Sequence, residues 1–262
     1  MSTETDQSPA LQVEGQIAYI ALRRPRKANR LVAEDLPILV RLFAQVDEDP
    51  AIRVLVFHAQ GRHFSAGYDM SGLLESTERR EKERYLNPFE PLVNALEAVK
   101  KPVVAVLQGG VYGGAIDLAL ACDFRLGTRA CEMFMPALRI GLRYYVSGIE
   151  RYVSELGLRN ARRIFLTGAT FGCDEMKQMG FLDEVYADEW ALWDAAKELA
   201  TQLAQTAPLA TASTKRLLRE AAGGRVDHRA ARAEEATCFA SADMREGLEA
   251  MKGKRAPQFT GS

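Results

Sequence analysis

Short hydrophobic runs alternate with amphipathic stretches through the first 190 residues of the chain. Two β-rich runs at residues 11–13 and 16–22 flank a Glu-Gly turn pair and predict a hairpin. Apolar residues at helical spacing predict a helix over residues 32–46. Compact apolar runs at residues 54–57 and 103–107 predict buried strands, because each is bounded by charge, proline or glycine.

The later pattern continues this alternation and then becomes helical. The further elements that it predicts are a helix over residues 78–99, a helix beginning near Gly114, a strand over 124–126, helices over 148–155, 159–166 and 174–179, and a strand over 183–186. Strands that alternate with helices are typical of a parallel sheet in an α/β fold. Beyond residue 189 the chain is expected to be helical to residue 252, with breaks at Pro208 and Gly223-Gly224.

Charge and composition exclude several classes of partner. The 262 residues include 34 Lys and Arg against 35 Asp and Glu, for a net charge of −1. Such a chain has no overall field that attracts nucleic acid or an anionic membrane, so an anionic ligand has to be met by local clusters. The apolar runs are shorter than the ~20 residues of a membrane span. The first nine residues resemble neither a signal nor a transit peptide, and we expect a cytoplasmic protein.

The cysteines and histidines do not form a metal-binding pattern. The four cysteines have no C-x-x-C spacing, and the three histidines have no nearby acidic cluster. We therefore expect reduced, mostly buried thiols and no metal. His63 precedes a glycine-containing segment and is interpreted as a hydrogen-bonding scaffold residue rather than a base.

Two glycine loops carry the candidate chemistry, and each follows a predicted buried strand. The first spans residues 63–70 and the second residues 109–117. Neither has the spacing of a P-loop or of a dinucleotide fingerprint. Ligands of open α/β folds bind at the carboxyl ends of the strands, and glycine lets a backbone amide approach a ligand closely. Two such amides, one at the start of a helix, could hold an oxyanion.

The sequence resembles the enoyl-CoA hydratase (crotonase) superfamily over nearly its whole length. The matching segments are Arg24-Pro25 with Ala28-Asn29, residues 64–69, Gly113-Gly114 with Asp117, Cys122-Asp123-Phe124, Phe134 with Pro136 and Gly141, Leu166-Thr167-Gly168, Met179-Gly180-Phe181 with Val185, and the ending from Glu246-Gly247 to residues 254–259. The resemblance implies a crotonase-like α/β spiral of ββα units over residues 1–190. It also implies a helical C-terminal trimerisation region over residues 191–262, in a homotrimer or a dimer of trimers.

The same resemblance implies a ligand and its contacts. The substrate is expected to be an acyl-CoA thioester, with coenzyme A as part of the substrate and no permanently bound cofactor. By matching positions, the oxyanion hole consists of the backbone N–H groups of Tyr68 and Gly114. The residues expected to contact coenzyme A are Arg26, Lys27, Ala28, Ala66, Tyr68, Asp69, Met70 and Lys254.

The acid positions depart from those of two-glutamate hydratases. Such enzymes place one glutamate three residues after the oxyanion glycine and a second after the proline of a Phe-x-x-Pro-type segment. Here these positions are Asp117 and Ala137. Alanine has no proton to give, so the acid pair is reduced to one shorter acid. Asp117 either contacts substrate as a catalytic group or is a buried aspartate that hydrogen-bonds a loop.

The segment after Gly141 instead resembles the methylmalonyl-CoA decarboxylase branch, which places a tyrosine at the position of Tyr144. A decarboxylase needs no base, but it must hold the breaking C–C bond perpendicular to the thioester plane. Tyr144 either supplies that orientation or only packs. Arg143 would stabilise the ground state if it lay close to the carboxylate, and is otherwise a surface arginine.

Three functions remain open from the sequence. The first is decarboxylation of a malonyl-CoA-type thioester, through an enolate in the oxyanion hole. The second is enoyl-CoA hydration or isomerisation with Asp117 as the single acid. The third is a non-catalytic acyl-CoA-binding oligomer.

Overall fold

The computed structural model describes residues 7–70 and 87–262. The strands of this part are β1 (Ala10–Glu14), β2 (Ile17–Leu22), β3 (Val54–Ala59), β4 (Val103–Leu107), β5 (Gly110–Tyr112), β6 (Phe124–Thr128), β7 (Glu132–Phe134), β8 (Thr170–Gly172) and β9 (Glu184–Tyr186). The α-helices are α1 (Asp35–Glu48), α2 (Phe89–Ala98), α3 (Gly114–Leu120), α4 (Val146–Arg162), α5 (Cys173–Gln178), α6 (Glu189–Ala204), α7 (Pro208–Ala222), α8 (His228–Ala240) and α9 (Ala242–Gly253).

A six-stranded sheet with the order β1-β2-β3-β4-β6-β9 forms the centre of the fold. Its strands pair in parallel except β1, which is antiparallel to β2. A smaller sheet with the order β5-β7-β8 stands beside it. The predicted opening hairpin and the predicted parallel sheet are confirmed.

The differences from the predicted elements have local causes. The strands β5, β7 and β8 are missing from the prediction; each has only three residues, and β5 lies within the second glycine loop. The range of α4 contains two helices that meet at a kink at Gly157, whose φ of 73° is non-helical, and this agrees with the two helices predicted over residues 148–155 and 159–166. Of the helix predicted over residues 78–99, the described part begins at Phe89, and residues 78–86 lie outside the described residues.

Hydrophobic cores lie on both faces of the large sheet. One core contains most of the buried apolar side chains and includes α1, α2 and α3. The second consists of sheet residues such as Val56 and Val104 with Leu192, Ala196 and Ala200 of α6. Helix α6 lies in the predicted C-terminal region, yet it packs directly on the sheet. The division of the chain at residue 190 stays a prediction.

Helix α7 is joined to the body by two ion pairs. On α7, Lys215 Nζ lies 2.6 Å from Asp123 Oδ2, and Arg219 Nε lies 3.8 Å from Glu97 Oε1. Helices α7, α8 and α9 leave several large apolar side chains exposed, including Leu218, Phe239 and Met251. The predicted trimer or dimer of trimers stays a prediction. In the described residues, no helix is both long enough and apolar enough to cross a membrane.

His58 on β3 gives the fold an acid-sensitive contact. Its ring meets Trp193 of α6 edge to face, with 4.9 Å between the ring centroids, and burial lowers the pKa of His58 to about 4. Between about pH 6.5 and pH 4 the unfolded chain therefore binds a proton at this histidine that the folded chain does not bind. The free energy of unfolding should fall by about 3 kcal/mol from this group as the pH drops from 7 to 4.

Denaturant unfolding of the parent and of His58→Phe at several pH values measures this contribution. The variant should lose less stability on acidification than the parent, while replacement of the exposed His228 by Phe should follow the parent curve. Parallel curves for the parent and His58→Phe would contradict the assignment.

Candidate active site

The two glycine loops meet at the carboxyl ends of β3 and β4. The amide of Ser65 donates to the Gly110 carbonyl at 3.2 Å, and the amide of Tyr112 donates to the Ser65 carbonyl at 2.9 Å. His63 Nδ1 accepts from the amide of Gly110 at 2.9 Å. His63 therefore joins the loops through its ring nitrogen, as the scaffold interpretation predicted.

Gly67 brings the loops into contact. Its φ of 81° lies in the left-handed region, and a Cβ there would stand 2.6 Å from the Tyr112 carbonyl oxygen and 2.9 Å from the Gly114 nitrogen. At Gly114, the first residue of α3, a Cβ would stand 2.7 Å from the Phe89 ring. Tyr68 directly follows Gly67, so both members of the predicted oxyanion pair lie at this junction. Their binding of an oxyanion stays a prediction.

Asn29 fixes the basic turn against the first loop. Its side-chain amide donates to the carbonyls of Gln60 and His63 at 2.8 Å each, and its own carbonyl accepts from Ser65 Oγ at 2.8 Å. The amide of Ala66 donates to the Ala28 carbonyl at 2.7 Å. These bonds hold Ala28 and Ala66, two of the predicted coenzyme A contacts, next to each other.

The other predicted contacts with coenzyme A lie in two places, one at the basic turn and first glycine loop and the other at the C-terminal end of α9. Arg26 and Lys27 are exposed on the basic turn, and Asp69, which precedes Met70, forms an ion pair of 3.0 Å with Arg30. Lys254 directly follows α9, and its amide donates to the Met251 carbonyl. Within residues 7–70 and 87–262, no hydrogen bond or ion pair links Lys254 to either glycine loop.

A cavity of about 100 Å³ opens beside this junction. Its described lining consists of Ala66, Tyr68, Met70, Asn87, Pro88, Phe89, Gly113, Gly114, Met135, Pro136, Ala137, Ile140, Leu142, Tyr144 and Tyr145. The cavity therefore brings together Tyr68, Gly114 and Tyr144 of the predicted catalytic set. Apart from the tyrosine hydroxyls, this described lining contains no titratable side chain, and Ala137 occupies the wall at the second acid position.

Asp117 lies behind the tyrosines instead of in the described wall. Its side chain is fully buried, and Oδ1 accepts from Arg151 Nη1 at 2.7 Å. Oδ2 accepts from the Tyr144 hydroxyl at 3.2 Å and also from the Tyr145 hydroxyl. Burial raises the pKa of Asp117, and the guanidinium of Arg151 opposes that rise. The aspartate therefore contacts the cavity through two phenol groups.

The tyrosines are held as neutral donors. Burial, with the nearby charge of Asp117, raises the pKa of Tyr144 and of Tyr145 well above the ordinary value. The rings stack with 4.4 Å between centroids. Gly148 on α4 makes room for this arrangement, since a Cβ there would stand 2.5 Å from the Tyr144 ring and 2.9 Å from Asp117 Oδ2.

Sequence reasoning missed Arg151, Glu97 and the contact between Tyr145 and Asp117. A signal for Arg151 was present, because it falls on the buried face of α4 with Gly148 and Tyr152. An aspartate inside an apolar helix also requires a positive partner, since an unpaired buried charge is costly. Arg143, by contrast, is exposed, in agreement with the surface alternative. Among the described residues, no group of three or more His, Cys, Asp or Glu is placed to hold a metal ion.

The parallel sheet, the paired glycine loops and the helical C-terminal part define an α/β protein of the crotonase class. A family model described as enoyl-CoA hydratase/isomerase matches residues 12–262. The chain therefore belongs to the enoyl-CoA hydratase/isomerase family, and the fold expected from the resemblance is confirmed.

Individual relatives are similar over nearly their whole length. An enoyl-CoA isomerase/hydratase of Mycosarcoma maydis is 30% identical over 258 residues, which cover 94% of this chain and 93% of that protein. The 2,3-dehydroadipyl-CoA hydratase of Escherichia coli is 28% identical over 251 residues, covering 94% and 96%. The crystal structure of an enoyl-CoA hydratase from Bacillus anthracis has a TM-score of 0.86 and 26% identity, covering 98% and 100%.

Proposed function

We propose that this protein is an enzyme that acts on acyl-CoA thioesters and binds the thioester oxygen at the backbone amides of Tyr68 and Gly114. Family membership supports the substrate class, and the contact of the two loops at Gly67 supports the position of the amides. The exposed Arg26 and Lys27 lie on the turn that is bonded to the first loop, where cations suit the phosphates of coenzyme A. Coenzyme A enters as part of the substrate.

Within this class, the proposed reaction is decarboxylation of a malonyl-CoA-type thioester. The observation that carries it is the described cavity wall, in which two neutral tyrosines face an apolar surround while Asp117 is buried behind them. Hydration by a pair of acids requires one group to take a proton from water and another to protonate the α carbon. Decarboxylation requires neither, because the electron pair comes from the breaking C–C bond.

The positions of the two amides and of Tyr144 define the proposed decarboxylation step. The bond between the α carbon and the carboxylate breaks, its electron pair moves into the thioester to form an enolate, and carbon dioxide leaves. The amides of Tyr68 and Gly114 stabilise the enolate oxygen, an arrangement in which each donor contributes about 3 kcal/mol. The Tyr144 hydroxyl donates to the departing carboxylate and orients it, and the apolar wall removes water from it. The enolate then takes a proton from water.

The second candidate is enoyl-CoA hydration or isomerisation. The hydratase and isomerase activities for which the relatives are named favour it, and so does the contact between the Tyr145 hydroxyl and Asp117. In that reaction Tyr145 passes a proton between the substrate and Asp117. Loss of both activities with retained binding would instead indicate a non-catalytic acyl-CoA-binding oligomer.

Turnover of two thioesters by the purified protein separates these candidates. We expect carbon dioxide release from methylmalonyl-CoA, and Tyr144→Phe should slow it by about 10- to 100-fold, as loss of a hydrogen bond to a charged group implies. Tyr152→Phe is the matched control, because the buried Tyr152 hydroxyl has no hydrogen-bond partner among the described residues and is not part of the described cavity lining. That variant should retain the parent rate.

Each other outcome rejects the decarboxylase proposal. Turnover of crotonyl-CoA alone, followed by the loss of the enoyl-thioester absorbance, favours the hydratase or isomerase. Binding of both thioesters without turnover favours the non-catalytic oligomer.

A further inference from the structure

A buried network of charged and polar groups extends from helix α2 to the tyrosine wall of the cavity. Arg151 is 3% exposed and stands at its centre. Its Nε and Nη2 atoms donate to the two carboxylate oxygens of Glu97 at 2.9 and 3.0 Å, and Nη2 also donates to Asn94 Oδ1 at 3.1 Å. Its Nη1 atom donates to Asp117 Oδ1. Three elements, α2, α3 and α4, are thereby joined at one guanidinium.

The bidentate contact with Glu97, here called the clamp, holds Arg151 in a single orientation. A guanidinium presents its donors in a rigid plane, and the bidentate contact with Glu97 fixes that plane relative to α2. Two carboxylates, Glu97 and Asp117, share this one arginine, and Arg219 supplies a second positive charge beside Glu97. The guanidinium that contacts Asp117 is therefore held in position by Glu97, which is not part of the described cavity lining.

The two tyrosine hydroxyls compete for one oxygen. With Oδ1 of Asp117 bonded to Arg151, both hydroxyls point to Oδ2. The Tyr144 hydroxyl lies 3.2 Å from Oδ2 and 3.5 Å from the Tyr145 hydroxyl, and both distances exceed the ~2.5–3.0 Å of an ordinary O–H···O bond. A substrate carboxylate can therefore displace the weaker Tyr144 contact and leave the Tyr145 contact in place.

We infer that Arg151 is a positioning residue for Tyr144, a role that rests on the proposed function: its fixed guanidinium keeps Asp117 a carboxylate and also holds Oδ1 in place, so that Oδ2 accepts from Tyr145 and Tyr144 presents its proton to the substrate. A protonated Asp117 would itself need an acceptor, and the Tyr145 hydroxyl would turn towards Tyr144. Which of the two tyrosine hydroxyls can donate into the cavity therefore depends on the charge of Arg151, which is not part of the described cavity lining.

Two buried arginines make the test selective. Arg125 on β6 is 4% exposed, donates to the carbonyls of Phe181 and Cys122, and forms an ion pair with Glu155, but it is not part of the described cavity lining. Arg151→Lys keeps a positive charge but loses the clamp, and should lower kcat by about 10- to 100-fold with KM nearly unchanged, as expected for misplacement of a reacting group. Arg125→Lys should retain the parent kcat at a temperature where circular dichroism shows both variants folded.

A measurement without turnover tests the charge state directly. Infrared difference spectra at neutral pH should show a protonated carboxyl band in Arg151→Met that is missing from the parent and from the Arg151→Met/Asp117→Asn double variant. A parent-like kcat in Arg151→Lys, an equal loss of kcat in both lysine variants, or no protonated carboxyl in Arg151→Met would overturn the inference. If the parent turns over crotonyl-CoA alone, the decarboxylase proposal fails, while the infrared spectra still decide whether Arg151 holds the charge of Asp117.

Discussion

Replacement of Arg151 by methionine is expected to lower the free energy of unfolding by about 3–5 kcal/mol. Methionine fills much of the same space, but Asp117 loses the guanidinium at 2.7 Å while its side chain stays fully buried. Glu97 loses its bidentate partner at the same time. The loss is large because a buried carboxylate without its partner must be neutralised by a proton at neutral pH, well above the pH at which the unfolded chain binds one. Denaturant unfolding at neutral pH measures it.

The double variant Arg151→Met/Asp117→Asn separates charge from packing. Asparagine still accepts from the tyrosines but carries no charge, so the double variant should recover about 1–3 kcal/mol relative to the sum of the two single changes. Acid should also help the single variant. Burial raises the pKa of Asp117, so the folded chain takes up its proton before the unfolded chain as the pH falls, and the deficit of Arg151→Met should shrink. Additive losses with a pH-independent deficit would contradict an ionised Asp117.

The positions of the glycine loops could be predicted because their residues carry their own conformational requirement. Gly67 and Gly113 both have φ in the left-handed region, at 81° and 55°, where other residues are strained. Each loop also follows a strand whose apolar run is readable without knowledge of the fold. Sequence and structure therefore agree on Tyr68 and Gly114 as neighbours of one cavity.

The surroundings of Asp117 could not be predicted, because they arise from packing between distant elements. Asp117 and Arg151 are 34 residues apart and meet only when α3 and α4 pack together. The adjacent tyrosines Tyr144 and Tyr145 have no visible partner in the sequence, and only the packed structure brings both hydroxyls to the same carboxylate oxygen. Whether a buried aspartate faces a substrate or a tyrosine depends on such contacts, and the local pattern of the helix leaves both open.

Gly67→Ala is expected to lower kcat by about 100- to 1,000-fold, the loss typical of a damaged oxyanion hole. The new Cβ would stand 2.6 Å from the Tyr112 carbonyl oxygen and 2.9 Å from the Gly114 nitrogen, and both neighbours are backbone atoms. The loops must then move apart, which changes the distance between the amides of Tyr68 and Gly114. The kcat for the thioester that the parent protein converts measures the loss.

Gly180→Ala is the matched control for this change. Gly180 has φ 80°, nearly the value at Gly67, but a Cβ there meets no atom within 4 Å. Both alanines should therefore cost about 1–2 kcal/mol of stability from left-handed strain, whereas the close approach at the loop junction is added at Gly67 alone. Equal kcat values for the two variants would show that the loop contact at Gly67 does not set the catalytic geometry. A loss confined to Gly67→Ala ties turnover to the junction where the two loops meet.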